Sequence, residues 1–175
     1  MLPGGDIRQL GIVAAEDGLL PQQVQPNGVD LSLDQLWRVV EPGALGVADG
    51  DRYLPERVPV PFGEDGWVTL APGAYVARFA ETVSMPTDRA GLAFPRSSLL
   101  RMGVHVSTAV WDAGYSGRGE TVLLVASPHG VRLQRGARIA QLVVFQLTRE
   151  TAGYTGRYQE AAESPPRPPR PAAPG

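Results

Sequence analysis

The segment Phe94-Pro95-Arg96-Ser97-Ser98-Leu99-Leu100-Arg101 places two hydroxyls between two guanidinium groups at the expected start of a helix. Backbone N–H groups, serine hydroxyls and arginine forks all donate, so the segment suits an anion, and charge-assisted bonds to phosphate are the strong form of that contact. A plain helix cap with two surface arginines has the same spacing. A second segment, Ala109-Val110-Trp111-Asp112-Ala113-Gly114-Tyr115-Ser116-Gly117, sets a carboxylate and an aromatic ring at the tip of a turn after an apolar strand. Asp112 so placed can orient and deprotonate a water, or serve only to cap the turn. In the third, Arg135-Gly136-Ala137-Arg138-Ile139-Ala140-Gln141-Leu142-Val143, strict alternation puts Arg138 and Ala140 on the face opposite Ile139 and Gln141. The Gln141 amide needs a partner, in the core or in a ligand. Asp30 lies among apolar neighbours in Gln25–Leu33. The run Tyr154-Thr155-Gly156-Arg157-Tyr158-Gln159 pairs aromatic rings with an arginine and could close over a base or sugar.

These residues need a scaffold, and the chain punctuates short apolar runs with 21 glycines and 17 prolines. That pattern predicts a β-rich fold with many turns. Strands are expected at Val29–Leu33, Leu36–Val40, Trp67–Leu70, Ala74–Phe79, Gly91–Phe94, Val104–Val110, Thr121–Ala126 and Arg138–Phe145, each rich in Val, Leu, Tyr or Trp. One internal helix is expected at Ser97–Met102, with Ser97 or Ser98 as its cap. Residues 1–20 read as a helical or turn segment, residues 21–160 as one β domain, and residues 161–175 as a disordered proline-rich tail.

Composition narrows the chemistry further. With 175 residues and a core-forming apolar share of 43%, one domain is expected and no staple is needed. Cysteine is absent, which removes disulfides, thiolate metal sites and cysteine nucleophiles. All 16 basic residues are arginine, so a lysine Schiff base and a lysine-bearing phosphate loop are excluded as well. A net charge of −2 gives no footprint for a nucleic-acid backbone, although a few converging arginines can still hold a small polyanion. No apolar run approaches a membrane span and no basic-then-apolar leader begins the chain, so a cytoplasmic protein without a membrane partner is expected. His105 and His129 lack metal-ligand spacing, and neither a dinucleotide fingerprint nor a Gly-x-Ser-x-Gly elbow is present.

Taken in order, Gln25–Leu33, Pro72-Gly73-Ala74-Tyr75, Pro95–Gly103, Thr108–Gly117 and Gly136–Val143 resemble the five motifs of the dUTP diphosphatase and dCTP deaminase superfamily. The Pro-Arg-Ser-Ser-Leu and Trp-Asp-Ala-Gly-Tyr forms are similar to its archaeal-type dUTP diphosphatases. The resemblance implies an all-β, distorted β-barrel or jelly roll of the dUTPase-like (β-clip) type with few short helices. It also implies a homotrimer with shared active sites and Mg²⁺ bound through the phosphates of dUTP. By position, Arg96, Ser97, Ser98, Arg101 and Gln141 match phosphate contacts, and Asp112 matches the carboxylate that activates water. Tyr115 matches the ring under the deoxyribose, while Ala109, Val110 and Trp111 lie where relatives read the pyrimidine edge with backbone. Asp30 matches the first motif, where a metal role is one option. Tyr154, Arg157, Tyr158 and Gln159 resemble the C-terminal lid of the deaminase branch, with Arg157 in place of that branch's lysine.

One position separates the two reactions. The resemblance implies that deamination needs a glutamate on the strand after the Asp112 turn, and the aligned residue here is Leu124. Glu120 lies on the same strand face but about 13 Å away at ~3.3 Å per residue. The expected activity is therefore hydrolysis of dUTP to dUMP and pyrophosphate. A bifunctional deaminase–diphosphatase and a non-catalytic nucleotide-binding barrel are the alternatives.

Overall fold

The computed structural model describes residues 1–156 and 158–159; Arg157 and the proline-rich tail lie outside the described residues. In chain order the elements are α1 (Gly4–Gln9), β1 (Val13–Ala14), β2 (Val24–Gln25), β3 (Gly28–Val39), β4 (Arg57–Pro59), β5 (Trp67–Leu70), β6 (Gly73–Ser84), β7 (Arg89–Pro95), α2 (Ser97–Arg101), β8 (Val104–Ser107), β9 (Ser116–Val125), β10 (Val131–Gln134) and β11 (Arg138–Gln146). Two short 3₁₀ turns, Pro21–Gln23 and Asp49–Asp51, complete the list. The fold is all-β with few helices, as expected.

A nine-stranded sheet runs β7-β11-β3-β6-β9-β8, with β1 added to β6 and both β2 and β4 added to β3, and it curls into a nearly closed barrel. All of its pairings are antiparallel. A separate pair, β5 and β10, lies outside it. Alternation decides what faces inward: on β9, Thr121, Leu123 and Val125 are buried while Glu120, Val122 and Leu124 face out. The interior is filled by Leu31, Leu33, Leu36, Phe79, Leu123, Ile139, Leu142 and Val144, none more than 2% exposed. At about 1.5–3 kcal/mol per buried side chain of this size, this cluster is the main favourable term in folding.

Several expectations are corrected. Val29–Leu33 and Leu36–Val40 are one continuous strand, β3, because Asp34 is neutralised by arginines and does not break it. The strand expected to end at Val110 stops at Ser107, after which Thr108–Val110 leave the sheet. β9 starts at Ser116, earlier than expected, and β10 was not anticipated. Residues 1–20 form α1 and β1, and they place Ile7, Ile12 and Val13 in the common core. Neither serine caps α2: the cap position is Arg96, with extended backbone and no side-chain hydrogen bond to the helix.

Candidate active site

β3, β11 and β7 lie side by side, and their register brings the first cluster together. Gln141 on β11 is opposite Asp30 on β3 and opposite Phe94 on β7, so the three side chains share one face. Arg138 joins that face, contrary to strict alternation, because the register slips between Arg138 and Ala140 and sets Arg138 opposite Ser32. A β-bulge inserts one residue and re-aims the side chains around it. Gly28, which opens β3, admits no larger residue: an added Cβ would stand 2.3 Å from the Leu142 carbonyl oxygen.

Asp30 is 1% exposed, and its Oδ2 takes all three of its polar contacts. Arg138 Nη1 donates to it at 3.1 Å, Gln25 Nε2 donates at 3.3 Å, and Arg96 Nε forms an ion pair at 3.1 Å. Burial pushes the Asp30 pKa up, and the two arginines only partly offset that. Two guanidinium groups at one oxygen leave Asp30 poorly placed to hold a metal ion. Behind it, buried Gln23 donates to the Asp30 carbonyl oxygen and to Glu81 Oε1, while Glu81 Oε2 accepts from the Ser32 N–H. This network fixes the strand that carries Asp30.

Further donors lie on and beside this face. The Gln141 amide makes no hydrogen bond to the described residues. Ser97 and Ser98 are exposed at the uncapped start of α2, and Leu99 anchors that helix in the core at 4% exposure. Arg101 lies exposed at its other end and reaches back to the Ser97 carbonyl oxygen at 3.3 Å.

The second cluster is the turn between β8 and β9. Trp111 is 5% exposed, packs against Phe79 with ring centroids 6.1 Å apart, and exchanges two backbone hydrogen bonds of 2.9 Å with Gly91 of β7. Its N–H is thus occupied and its ring belongs to the core, a correction to its expected place in base reading. Ala109 and Val110 are exposed, and their backbone groups have no partner among the described residues. Asp112 is exposed directly after the Trp111 anchor, and its carbonyl oxygen accepts the Tyr115 N–H at 3.1 Å, closing the turn. Burial, with Tyr154 and Glu120 adding to it, raises the Tyr115 pKa, so that hydroxyl stays neutral.

The C-terminal segment folds onto this turn. The Tyr154 N–H donates to the Ala113 carbonyl oxygen at 2.7 Å, and its ring meets Tyr115 edge-on at 5.9 Å. Gln159 uses both ends of its amide, donating to the Gly114 carbonyl oxygen at 3.0 Å and accepting from the Ser116 N–H at 3.3 Å. Tyr158 follows, with its N–H on the Tyr154 hydroxyl. Gly114 is required for the approach: its φ is +80°, and a Cβ would stand 2.7 Å from Gly153 Cα.

Two further positions bear on the reaction. Leu124 is exposed on the outer face of β9, opposite His105 on β8. Glu120 is held by both Arg57 terminal nitrogens, at 2.7 and 3.0 Å. Within one chain the clusters stand apart: Trp111 is bridged to Gly91 near the start of β7, whereas Arg96 follows its end. Along an extended strand that separates Asp112 from Arg96 by about 16–20 Å at roughly 3.3 Å per residue. Missed from the sequence were the contact of Arg138 with Asp30 and the trio Asp34–Arg118–Arg135. The only signal for either was a charged residue inside an apolar strand pattern.

Among the described residues no helix is long and apolar enough to cross a membrane, and no group of three acidic or histidine side chains could cage a metal ion. The fold is similar to the crystal structure of 2′-deoxycytidine 5′-triphosphate deaminase from Agrobacterium tumefaciens, with a TM-score of 0.66 at 23% identity. The match covers 82% of this chain and 46% of that one, so the chain spans about half of its length. Among curated proteins, the chain is 46% identical over 159 residues to the probable deoxyuridine 5′-triphosphate nucleotidohydrolase of Aeropyrum pernix, covering 90% of this chain and 96% of that one. It is 44% identical over 138 residues to the protein of the same name in Methanosarcina mazei, covering 78% and 81%. A family model described as dCTP deaminase-like matches residues 2–147, nearly the whole of the described chain. The chain therefore belongs to the dCTP deaminase-like family.

Proposed function

We propose that this protein hydrolyses dUTP to dUMP and pyrophosphate and does not deaminate dCTP. The observation that carries the reading is on β9: the outward position aligned with the deaminase glutamate is Leu124, and the carboxylate on the same strand face, Glu120, is bound by Arg57. Water attack on a pyrimidine ring needs a group that moves protons at that place. The named archaeal relatives support the same activity.

In this reading Asp112 takes a proton from a water that attacks the α-phosphorus, and pyrophosphate leaves. Arg96, Arg101, Ser97, Ser98 and Gln141 bind the phosphate oxygens, which is the positioning and charge balance that phosphoryl chemistry depends on. Mg²⁺ bound to the triphosphate of the substrate would offset part of its charge, leaving the rest to Arg96 and Arg101. Ala109 and Val110 offer backbone groups to the pyrimidine edge, and Tyr115 lies under the deoxyribose, where a 2′-hydroxyl would collide. Tyr154, Tyr158 and Gln159 cover the turn from the C-terminal side; Arg157, the remaining residue expected in the lid, lies outside the described residues. The distance between Asp112 and Arg96 within one chain supports a homotrimer in which Asp112 of one copy serves the arginines of another. We assign the working domain to residues 21–160 together with residues 1–20, whose Ile7, Ile12 and Val13 pack into the same core, and place it in the cytoplasm; the expected tail, residues 161–175, lies outside the described residues.

The test supplies dUTP, dCTP and dTTP with Mg²⁺ and follows pyrophosphate and ammonia. Pyrophosphate from dUTP without ammonia from dCTP is expected; ammonia release overturns the reading. Asp112→Asn is expected to bind dUTP and lose turnover by about 10²–10⁴-fold, the usual contribution of a general base.

A further inference from the structure

The bulge in β11 does more than distort the sheet. It turns Arg138 onto the face that carries Asp30 and Gln141, when regular alternation would have hidden it from them. There Arg138 commits a single nitrogen, Nη1, to Asp30 Oδ2 and the Gln22 carbonyl oxygen. Its Nε and Nη2 make no hydrogen bond among the described residues, and neither do Nη1 and Nη2 of Arg96. Both side chains are about one-third to one-quarter exposed, at 31% and 27%. A guanidinium is a planar fork of five donors, so tying down one edge on a buried carboxylate orients the rest. Asp30 thus holds two forks side by side with their remaining edges toward solvent, and the unpartnered Gln141 amide lies on the same face. The other acid nearby, Glu81, is turned inward to Gln23 and the Ser32 N–H and competes for neither fork.

We propose that Arg138 is a phosphate-binding residue of this site, a second guanidinium beside Arg96 that grips the triphosphate chain of the substrate. The assignment rests on the nucleotide reading above and adds to it a contact outside the motif positions used there. In a chain without lysine, a permanently cationic side-chain contact to phosphate has to be an arginine, and Arg138 is the one the fold aims at the Asp30–Arg96 pair.

The experiment uses the full chain with inorganic tripolyphosphate, which has phosphates but neither base nor sugar, followed by titration calorimetry, with dUTP kinetics alongside. Arg138→Gln is expected to weaken tripolyphosphate binding roughly ten- to hundredfold, the range for a lost hydrogen bond to a charged group. The KM for dUTP rises in step while kcat changes little. Wild-type affinity and KM in this variant overturn the proposal, as does a wild-type protein that binds no tripolyphosphate. Should Arg138→Gln fail to fold, Arg138→Lys keeps the charge beside Asp30 but loses the fork; severalfold weaker tripolyphosphate binding is expected, and unchanged binding overturns the proposal. A wild type that binds tripolyphosphate, with the loss in the variant, but does not cleave dUTP would sink the diphosphatase reading and leave the anion contact standing.

Discussion

Asp30 and Asp34 stand on the same strand, each buried and each facing two arginines from distant parts of the chain, yet their electrostatic states are opposite. Asp34 uses both oxygens: Oδ1 accepts from Arg135 Nε at 3.0 Å and Nη2 at 2.6 Å, and Oδ2 accepts from Arg118 Nη2. Burial alone would raise its pKa, but the hydrogen bonds from Arg135 and Arg118 outweigh it and hold the carboxyl below its usual value. Arg118 is itself tied by Nε to the Phe79 carbonyl oxygen at 3.0 Å. At Asp30 the contacts gather on one oxygen and are longer, so burial prevails and the pKa rises. The contrast separates structure from function. A carboxylate that uses both oxygens binds its arginines into the fold, whereas one that engages a single edge of each leaves donors pointing outward for a ligand.

The largest effect that would sharpen this contrast is on folding. Asp34→Asn removes the charge from a satisfied clamp and is expected to cost about 3 kcal/mol, at the low end for a broken buried pair because both arginines can reach water. Asp30→Asn relieves an unfavourable burial and is expected to stay within about 1 kcal/mol of wild type by urea unfolding. Equal losses would erase the distinction. Next comes activity: Arg96→Gln should lower kcat/KM on dUTP roughly ten- to hundredfold, while Arg118→Gln, in the closed clamp, should keep wild-type kinetics at temperatures where it is folded. A kinetic defect in Arg118→Gln as large as that of Arg96→Gln would break the contrast.

A smaller effect lies in pH. Asp34 has a depressed folded pKa, so its stabilisation is present above the unfolded value near 3.8 and is lost as pH falls through the folded one. For Asp30 the folded pKa is raised, so the folded state holds the proton more tightly, and its contribution falls as pH rises from 3.8 through the folded value. In denaturant titrations, the gap between wild type and Asp34→Asn should close on acidification, while wild type should gain on Asp30→Asn over the acid range. Parallel curves would show that the two sites do not differ. The smallest change is expected from Arg135→Gln, whose side chain is 62% exposed; below about 1 kcal/mol is the range for such pairs.

The same two aspartates show what could be read from the sequence. Trp67–Leu70 was placed to the residue, and α2 and β11 nearly so, because composition and flanking Gly, Pro or Ser mark them locally. Asp34 looked like a break between two strands because its arginines lie 84 and 101 positions away, and no local pattern reveals a partner at that distance. The bulge before Ala140 was equally hidden, since it depends on how β11 meets β3. At the site, Ser97 opens α2 and Gln141 lies within β11, the elements anticipated for them, while Asp112 and Tyr115 lie in the turn before β9. Trp111 was expected to offer its backbone to a base, because nothing local shows that Gly91, 20 positions earlier, takes both of its backbone groups.

The pairing of β3 with β11 also sets a timetable. β3 is among the first strands to be made and β11 the last, so at about 5–20 residues per second the early strand waits on the order of ten seconds for its neighbour. Until then one edge of β3 is open and Asp30 has no Arg138 to meet. A nascent chain is therefore most exposed to mispairing with another copy just before the Asp30 face is completed, and a message truncated ahead of Arg138 yields a chain that lacks one wall of that face.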